Sequence, residues 1–264
     1  MLNTILCSFL ISISVMSYNM RYGTAKDGDH HWNNRKIATP AMLKAQSPDL
    51  IGVQECFDFQ AEFILNECPE YEGYGIGREV GFTGERTEIF WKKDKFELLD
   101  KGTFWLSETP SEPSKGWNAK NTRTATWVIL KLKRGGKELL FVNTHLDHIS
   151  GLAREKGLAL IEERIDSLAG GRPVILTGDF NIPDDNQVIL DLNERMTNAR
   201  LSAKRKGPDV STFTAFGKRK DRYVIDYIYY QGFRRCRRFS VIDKSYKNIP
   251  YISDHYPIIA TLKF

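Results

Sequence analysis

The chain has 264 residues, 41% hydrophobic and 27% charged, with a formal net charge of +5. This is an ordinary composition for a soluble globular protein, long enough for a sizeable core without disulfides. Cys7, Cys56, Cys68 and Cys236 form no CxxC pair, so they read as free thiols and speak against a structural zinc site.

Residues 1–11 open on "MLNTILCSFLI", which reads either as the remnant of an export signal or as the lead-in to a first strand. It lacks a basic n-region and a small-x-small cleavage site, and it is too short to span a membrane. The compartment therefore stays open, and no transmembrane span is expected. Residues 12–264 show no repeat and no linker, so they are taken as one domain.

In chain order, "ISISVMSYN" (11–19) predicts a strand ending at Asn19. Residues 33–49 predict a helix with Pro40 in its first turn or at a break. "LIGVQE" (50–55) predicts a short buried strand, and residues 57–68 a helix. "TEIFW" and "FELLDKGTFWLS" predict strands. "TATWVILKLKR" and "KELLFVNTH" predict a hairpin turned by Gly135 and Gly136. A helix follows over residues 150–171, with Leu158, Ile161, Ile165 and Leu168 on one face, Ser150 as its cap and Gly170 as its end. "PVILTGDFN" (173–181) predicts a buried strand and residues 186–200 a helix. "RYVIDYIYY" and "YPIIATLKF" predict the last strong strands. The run "RRCRR" (234–238) is read first as a solvated strand edge and second as a nucleic-acid patch. Strands alternating with helices, together with hairpins, predict an α/β (α+β) fold with mixed sheets and helices outside.

Four of the strands are apolar and then abruptly polar, ending in Asn19, in Glu55, in His145 with Asp147, and in Asp179 with Asn181. Ligands of α/β sheets gather beyond strand ends. In the last two strands Asp226, and then Asp254 with His255, come early instead. If those two run antiparallel to the first four, all six deliver polar groups to one rim. Carboxylate and amide oxygens with no sulfur suit Mg²⁺ or Mn²⁺. A metal, two imidazoles and spare carboxylates suit hydrolysis of a phosphate ester. Arg123 and Arg21, each beside a strand end, are candidates to clamp a phosphate, with a surface ion pair as the competing reading. His30, His31 and His148 are read as structural.

"MSYN", "GVQE", "NTHLDH", "GDFN", "IDYI" and "SDHYPI" together resemble the endonuclease/exonuclease/phosphatase superfamily in order and rough spacing. The resemblance implies a deoxyribonuclease I-like four-layer sandwich of two packed mixed β-sheets flanked by helices. It implies Glu55, Asn19 and Asp254 at or near the metal, and His255 as general base oriented by Asp226. Asp179 and Asn181 would position water and phosphoryl oxygens. His145 would be a phosphate donor or leaving-group acid, with Glu85 as its partner and Glu88 second. The implied partner is a phosphorylated substrate, either nucleic acid or a small molecule, met by a monomer. A calcineurin-type dinuclear phosphoesterase would need an early DxH pair and a GNH motif, and neither is present. A non-catalytic module on the same scaffold predicts loss of Glu55, Asp179, Asp226 or His255, and all four are in place.

Overall fold

The computed structural model describes residues 11–264; the reading of the first ten residues as a signal remnant lies outside them. The strands are β1 (Ser12–Asn19), β2 (Leu50–Gln54), β3 (Tyr71–Tyr74), β4 (Ile89–Lys92), β5 (Phe96–Trp105), β6 (Thr124–Leu132), β7 (Glu138–His145), β8 (Val174–Asp179), β9 (Thr197–Asn198), β10 (Arg205–Lys206), β11 (Asp226–Gln231), β12 (Arg235–Val241) and β13 (Ile258–Lys263). The helices are α1 (Trp32–Arg35), α2 (Ala38–Gln46), α3 (Asp58–Glu67), α4 (Gly151–Ala169), α5 (Gln187–Arg195) and α6 (Ala199–Ser202).

The strands form two mixed sheets, ordered β10-β12-β13-β1-β2-β4-β3 and β5-β6-β7-β8-β11-β9. Their inner faces share an apolar layer that includes Val15, Leu50, Val128, Phe141, Ile175, Ile228 and Ala260. Strands buried on both faces read as continuous apolar runs, which is why β2, β7 and β8 were so plain in the sequence. Helices α2 and α3 put Met42, Leu43, Ala61 and Ile64 on the outer face of the first sheet. Helices α4 and α5 put Leu158, Ile161, Ile165, Ile189 and Leu192 on the outer face of the second. The result is the four-layer sandwich.

Local signals behave as their chemistry requires. Ser150 Oγ accepts from Ala153 N at 3.1 Å and caps α4, and Gly170 ends it with φ +52°. Gly135 and Gly136 both take positive φ in the turn between β6 and β7. The helix expected over 186–200 stops at Arg195, because Thr197 and Asn198 pair with β11 and Asn198 then caps α6.

Register carries the functional consequence. β1 is parallel to β2, and β7 is parallel to β8. β13 runs antiparallel to β1, and β11 antiparallel to β8. His145 therefore pairs with Asp179, and Asp179 with Asp226, side by side at one end of the second sheet. Just beneath, a buried amide joins the sheets: Asn143 Nδ2 donates to Val53 O at 2.8 Å, and Asn143 Oδ1 accepts from Gln54 Nε2 at 2.7 Å. The sheets approach so closely there that a Cβ at Gly52 would overlap Thr177 Oγ1. Among the described residues, no helix is long and apolar enough to cross a membrane.

Candidate active site

The rim holds a cavity of about 700 Å³ lined by residues from both sheets, Glu55, His145, Asp179, Asn181, Asp254 and His255 among them. Three non-glycine residues just past strand ends adopt left-handed backbone: Arg21 (φ 57°), Glu55 (φ 56°) and Asn181 (φ 51°). Such conformations cost on the order of 1–2 kcal/mol each and persist where their surroundings over-determine them. Here they turn side chains off the strand ends toward the cavity.

Asn19 links the halves of the site. Its Nδ2 donates to Glu55 Oε1 at 3.1 Å and to Asp179 Oδ2 at 2.9 Å, while its Oδ1 accepts from Arg21 N at 2.9 Å. The amide is thus engaged in holding the two carboxylates, and a cation would meet Glu55 before Asn19. Tyr22 N donates to Glu55 Oε2 at 3.0 Å. Asp254 lies at the same cavity, 3.6 Å from Arg21 Nη1. Burial raises its pKa; His255 opposes that shift, and the charge of Glu55 adds to it. Two carboxylates whose charges oppose each other, with oxygen donors and no sulfur, fit a hard divalent cation. Arg21 is less free than expected, since its guanidinium forks onto Asp27 with two bonds of 2.9 Å.

His255 Nδ1 lies 2.9 Å from Asp226 Oδ2, and its Nε2 lies 3.6 Å from Asp179 Oδ2. Burial favours the neutral ring, but Asp226 and Asp179 outweigh it and push the His255 pKa up to about 10. Asp179 is itself raised by burial; His255 works against that shift, and Asp226 reinforces it. Ligand-type atoms of Asp179, Asp226 and His255 all lie within 4.8 Å of one another, an arrangement able to hold either a cation or a shared proton.

His145 sits across the same carboxylate, with Nε2 at 3.5 Å from Asp179 Oδ2 and 3.1 Å from Asn181 Nδ2. Burial first, then Arg123 and Arg78, hold its pKa well below the usual histidine value. Asn181 Nδ2 also donates to Leu146 O at 3.1 Å, which clips the ends of β7 and β8 together. The expected partnership of His145 with Glu85 or Glu88 is absent among the described residues. Glu85 forks with Arg78 at 2.8 and 3.0 Å, a stronger attraction for a carboxylate than a neutral ring offers. Glu88 lies beside Arg86 at 3.4 Å, and burial pushes its carboxyl up to about 7.

Arg123 lines the cavity at 4% exposure with its Nε and Nη1 lacking hydrogen-bond partners among the described residues. Its Nη2 meets His148 Nδ1 at 3.1 Å, and its Nε lies 3.9 Å from Asp147 Oδ2, an ion pair without a hydrogen bond. His148, expected to be merely structural, therefore lines the cavity. Asp147 is a loop organiser, accepting from the backbone N of Lys120, Asn121, Ile149 and Ser150 at 2.8–3.2 Å. Sequence reasoning missed Arg78, Phe213 and Tyr223 on the cavity wall. Phe213 bridges to His255 and its ring packs 4.9 Å from the imidazole, a long-range pairing with no local signal. Trp105 and Trp117 pin their loop rather than line the cavity: Trp105 Nε1 donates to Arg78 O at 2.7 Å, and Trp117 packs on the second core.

The family model of the endonuclease/exonuclease/phosphatase family matches residues 16–255. A mannosyl-6-phosphatase from Bacteroides thetaiotaomicron is 33% identical, with 96% of this chain and 100% of that one covered and a TM-score of 0.91. A family member from Bacteroides vulgatus is 33% identical over 96% of this chain and 98% of its own, with a TM-score of 0.90. An uncharacterised protein of Acanthamoeba polyphaga mimivirus is 24% identical over 87% of this chain and 91% of the viral one. The chain belongs to the endonuclease/exonuclease/phosphatase family and carries its phosphoesterase fold.

Proposed function

We propose that the protein hydrolyses phosphate monoesters of small phosphorylated molecules, sugar phosphates first among them, with Mg²⁺ or Mn²⁺ held at Glu55 and Asp254. The carrying observation is the linked chain of side chains at one rim: Asp226 to His255 at 2.9 Å, His255 to Asp179 at 3.6 Å, and Asn19 bridging Asp179 and Glu55. A bound cation would neutralise charge on the phosphoryl oxygens. His255, its Nδ1 tied to Asp226, takes a proton from the attacking water through Nε2. The water oxygen bonds to phosphorus as the ester oxygen leaves, and that oxygen takes its proton from solvent. Asp179 steadies the charged imidazole, and Oδ1 of Asn181 orients the water.

Arg123 receives the non-reacting phosphoryl oxygens through Nε and Nη1, neither of which makes a hydrogen bond among the described residues. The neutral ring of His145 positions Asn181. A leaving-group acid would have to hold a proton, which burial and Arg123 take from His145.

The likeness to a mannosyl-6-phosphatase along nearly the whole of both chains supports a sugar phosphate over a nucleic acid. In the basic segment 217–222, Arg219 and Arg222 are each tied to carboxylates, Asp221 for the first and Asp184 with Asp209 for the second. The test is hydrolysis of mannose 6-phosphate, glucose 6-phosphate and bis-p-nitrophenyl phosphate, with and without Mg²⁺, read as inorganic phosphate from the two monoesters and as p-nitrophenol from the diester. Faster release from the monoesters supports the reading, and preference for the diester overturns it.

A further inference from the structure

Several arginines away from the catalytic rim are paired with carboxylates: Arg195 with Glu162, Arg172 with Glu138, Arg200 with Asp209, Arg222 with Asp184. One corner of the first sheet gathers cations without such partners. β10, β12 and β13 lie side by side there, with Arg205 opposite Arg238, Arg235 opposite Lys263, and Arg238 opposite Thr261. A groove of about 340 Å³ is lined by Lys204, Arg205, Arg235, Arg237, Arg238 and Thr261. Among the described residues none of these cations has a carboxylate within 4.0 Å, and residues 1–10 contain no Asp or Glu to supply one.

The arrangement is built rather than incidental. Cys236, Phe239 and Val241 anchor β12 in the inter-sheet core. A register shift between Cys236 and Arg238 leaves both Arg237 and Arg238 exposed, where a regular strand would send alternate side chains inward. Among the described residues Arg235 Nε is buried without a hydrogen-bond partner. Partial desolvation, then Arg235, Arg234, Arg237 and Lys204, pull the pKa of Lys263 down, so the corner already repels its own charge. Edge protection needs only scattered charges. It does not explain a concave cluster on three adjacent strands, with the two-residue β10 as the outermost.

We propose that the groove between β10, β12 and β13 is a second anion-binding site that takes phosphate groups. Arginine forks match pairs of phosphoryl oxygens, which favours phosphate over a diffuse negative surface. The groove has no aromatic wall for base stacking. Lys263 lies five residues along β13 from Ile258, so the site sits on the order of 15–20 Å from the catalytic rim. A ligand here neither enters nor blocks the cavity, and the proposal stands apart from the catalytic reading.

The test measures binding of inorganic phosphate and of linear polyphosphate to the full chain and to R235Q/R237Q/R238Q, together with hydrolysis of a small phosphomonoester. We expect polyphosphate affinity to fall on the order of tenfold or more in the variant, with a shallower salt dependence and unchanged hydrolysis. A matching loss for inorganic phosphate identifies a single phosphate group as the ligand, and a loss for polyphosphate alone identifies a phosphate-bearing chain; both support the site. Three results overturn it: no binding of either probe by the native chain, equal binding by the variant, or a variant whose only change is aggregation. Should the triple variant fail to fold, the exposed single change R237Q is expected to weaken polyphosphate about threefold, and an unchanged affinity overturns the proposal.

Discussion

His255 and His145 stand 3.6 and 3.5 Å from the same oxygen of Asp179, yet their surroundings have opposite sign. Around His255 gather Asp226, Asp179 and Asp254, which hold a proton on the ring. At His145 burial first, and then Arg123 and Arg78, disfavour the proton. Two identical side chains in one cavity thus prefer opposite charge states, set by their neighbours rather than by imidazole itself. The carboxylate half can take up a cation and a proton. The arginine half is left to receive an anion.

Changes in the two halves should therefore have unequal effects. On the carboxylate half, Glu55→Gln should cost about 10³-fold in turnover, the several kcal/mol a cation supplies, with circular dichroism unchanged. His255→Ala should cost about 10²–10⁴-fold, the usual range for a lost general base. His145→Ala should cost on the order of tenfold, since Asn181 keeps its bond to Leu146 O. Equal losses for the two histidines would erase the distinction between the halves.

The pH profile sharpens it. A base must be neutral, so the rate should climb as pH rises through the His255 pKa. The carboxylates raise that pKa from 6.5 toward about 10, and a cation at Glu55 opposes them. The rising limb should therefore lie above the mildly acidic range expected of a free imidazole. Asp226→Asn removes a group that stabilises the charged ring, so the limb should move to lower pH. Movement to higher pH, or none, would contradict the assignment.

The smallest effect tests the anion half. Arg123 is buried, and among the described residues two of its nitrogens make no hydrogen bond. Arg123→Met should weaken phosphate inhibition on the order of tenfold while the chain still folds, as checked by circular dichroism. Unaltered phosphate inhibition in the folded variant would mean that Arg123 is only structural.

The rim was legible in the sequence because its strands are apolar until they reach it. Asn19, Glu55, His145 and Asp179 each stand at such a break, and the antiparallel placement of β11 and β13 follows from Asp226 and His255 coming early in their runs. What stayed hidden depends on side-chain partners or on distant loops. Glu85 was expected at His145, but Arg78, from a loop that no periodicity announces, takes it. Strand β3, "YEGY", is too short and too polar to show a period. Phe213 and Tyr223 reach the cavity from the irregular segment between β10 and β11, and only the bridge from Phe213 to His255 explains their place. The "RRCRR" run lies on a strand as expected, but β10 pairs beyond it, so it is not the outermost edge.

The most direct test is release of inorganic phosphate from a sugar phosphate by chelator-treated enzyme as Mg²⁺ is added back. Native protein should lose turnover on chelation and regain it with Mg²⁺, while Glu55→Gln should stay inactive at every Mg²⁺ concentration at which native protein works. Full turnover in chelator, or native-like recovery by Glu55→Gln, would contradict a cation held at the meeting point of these strand ends.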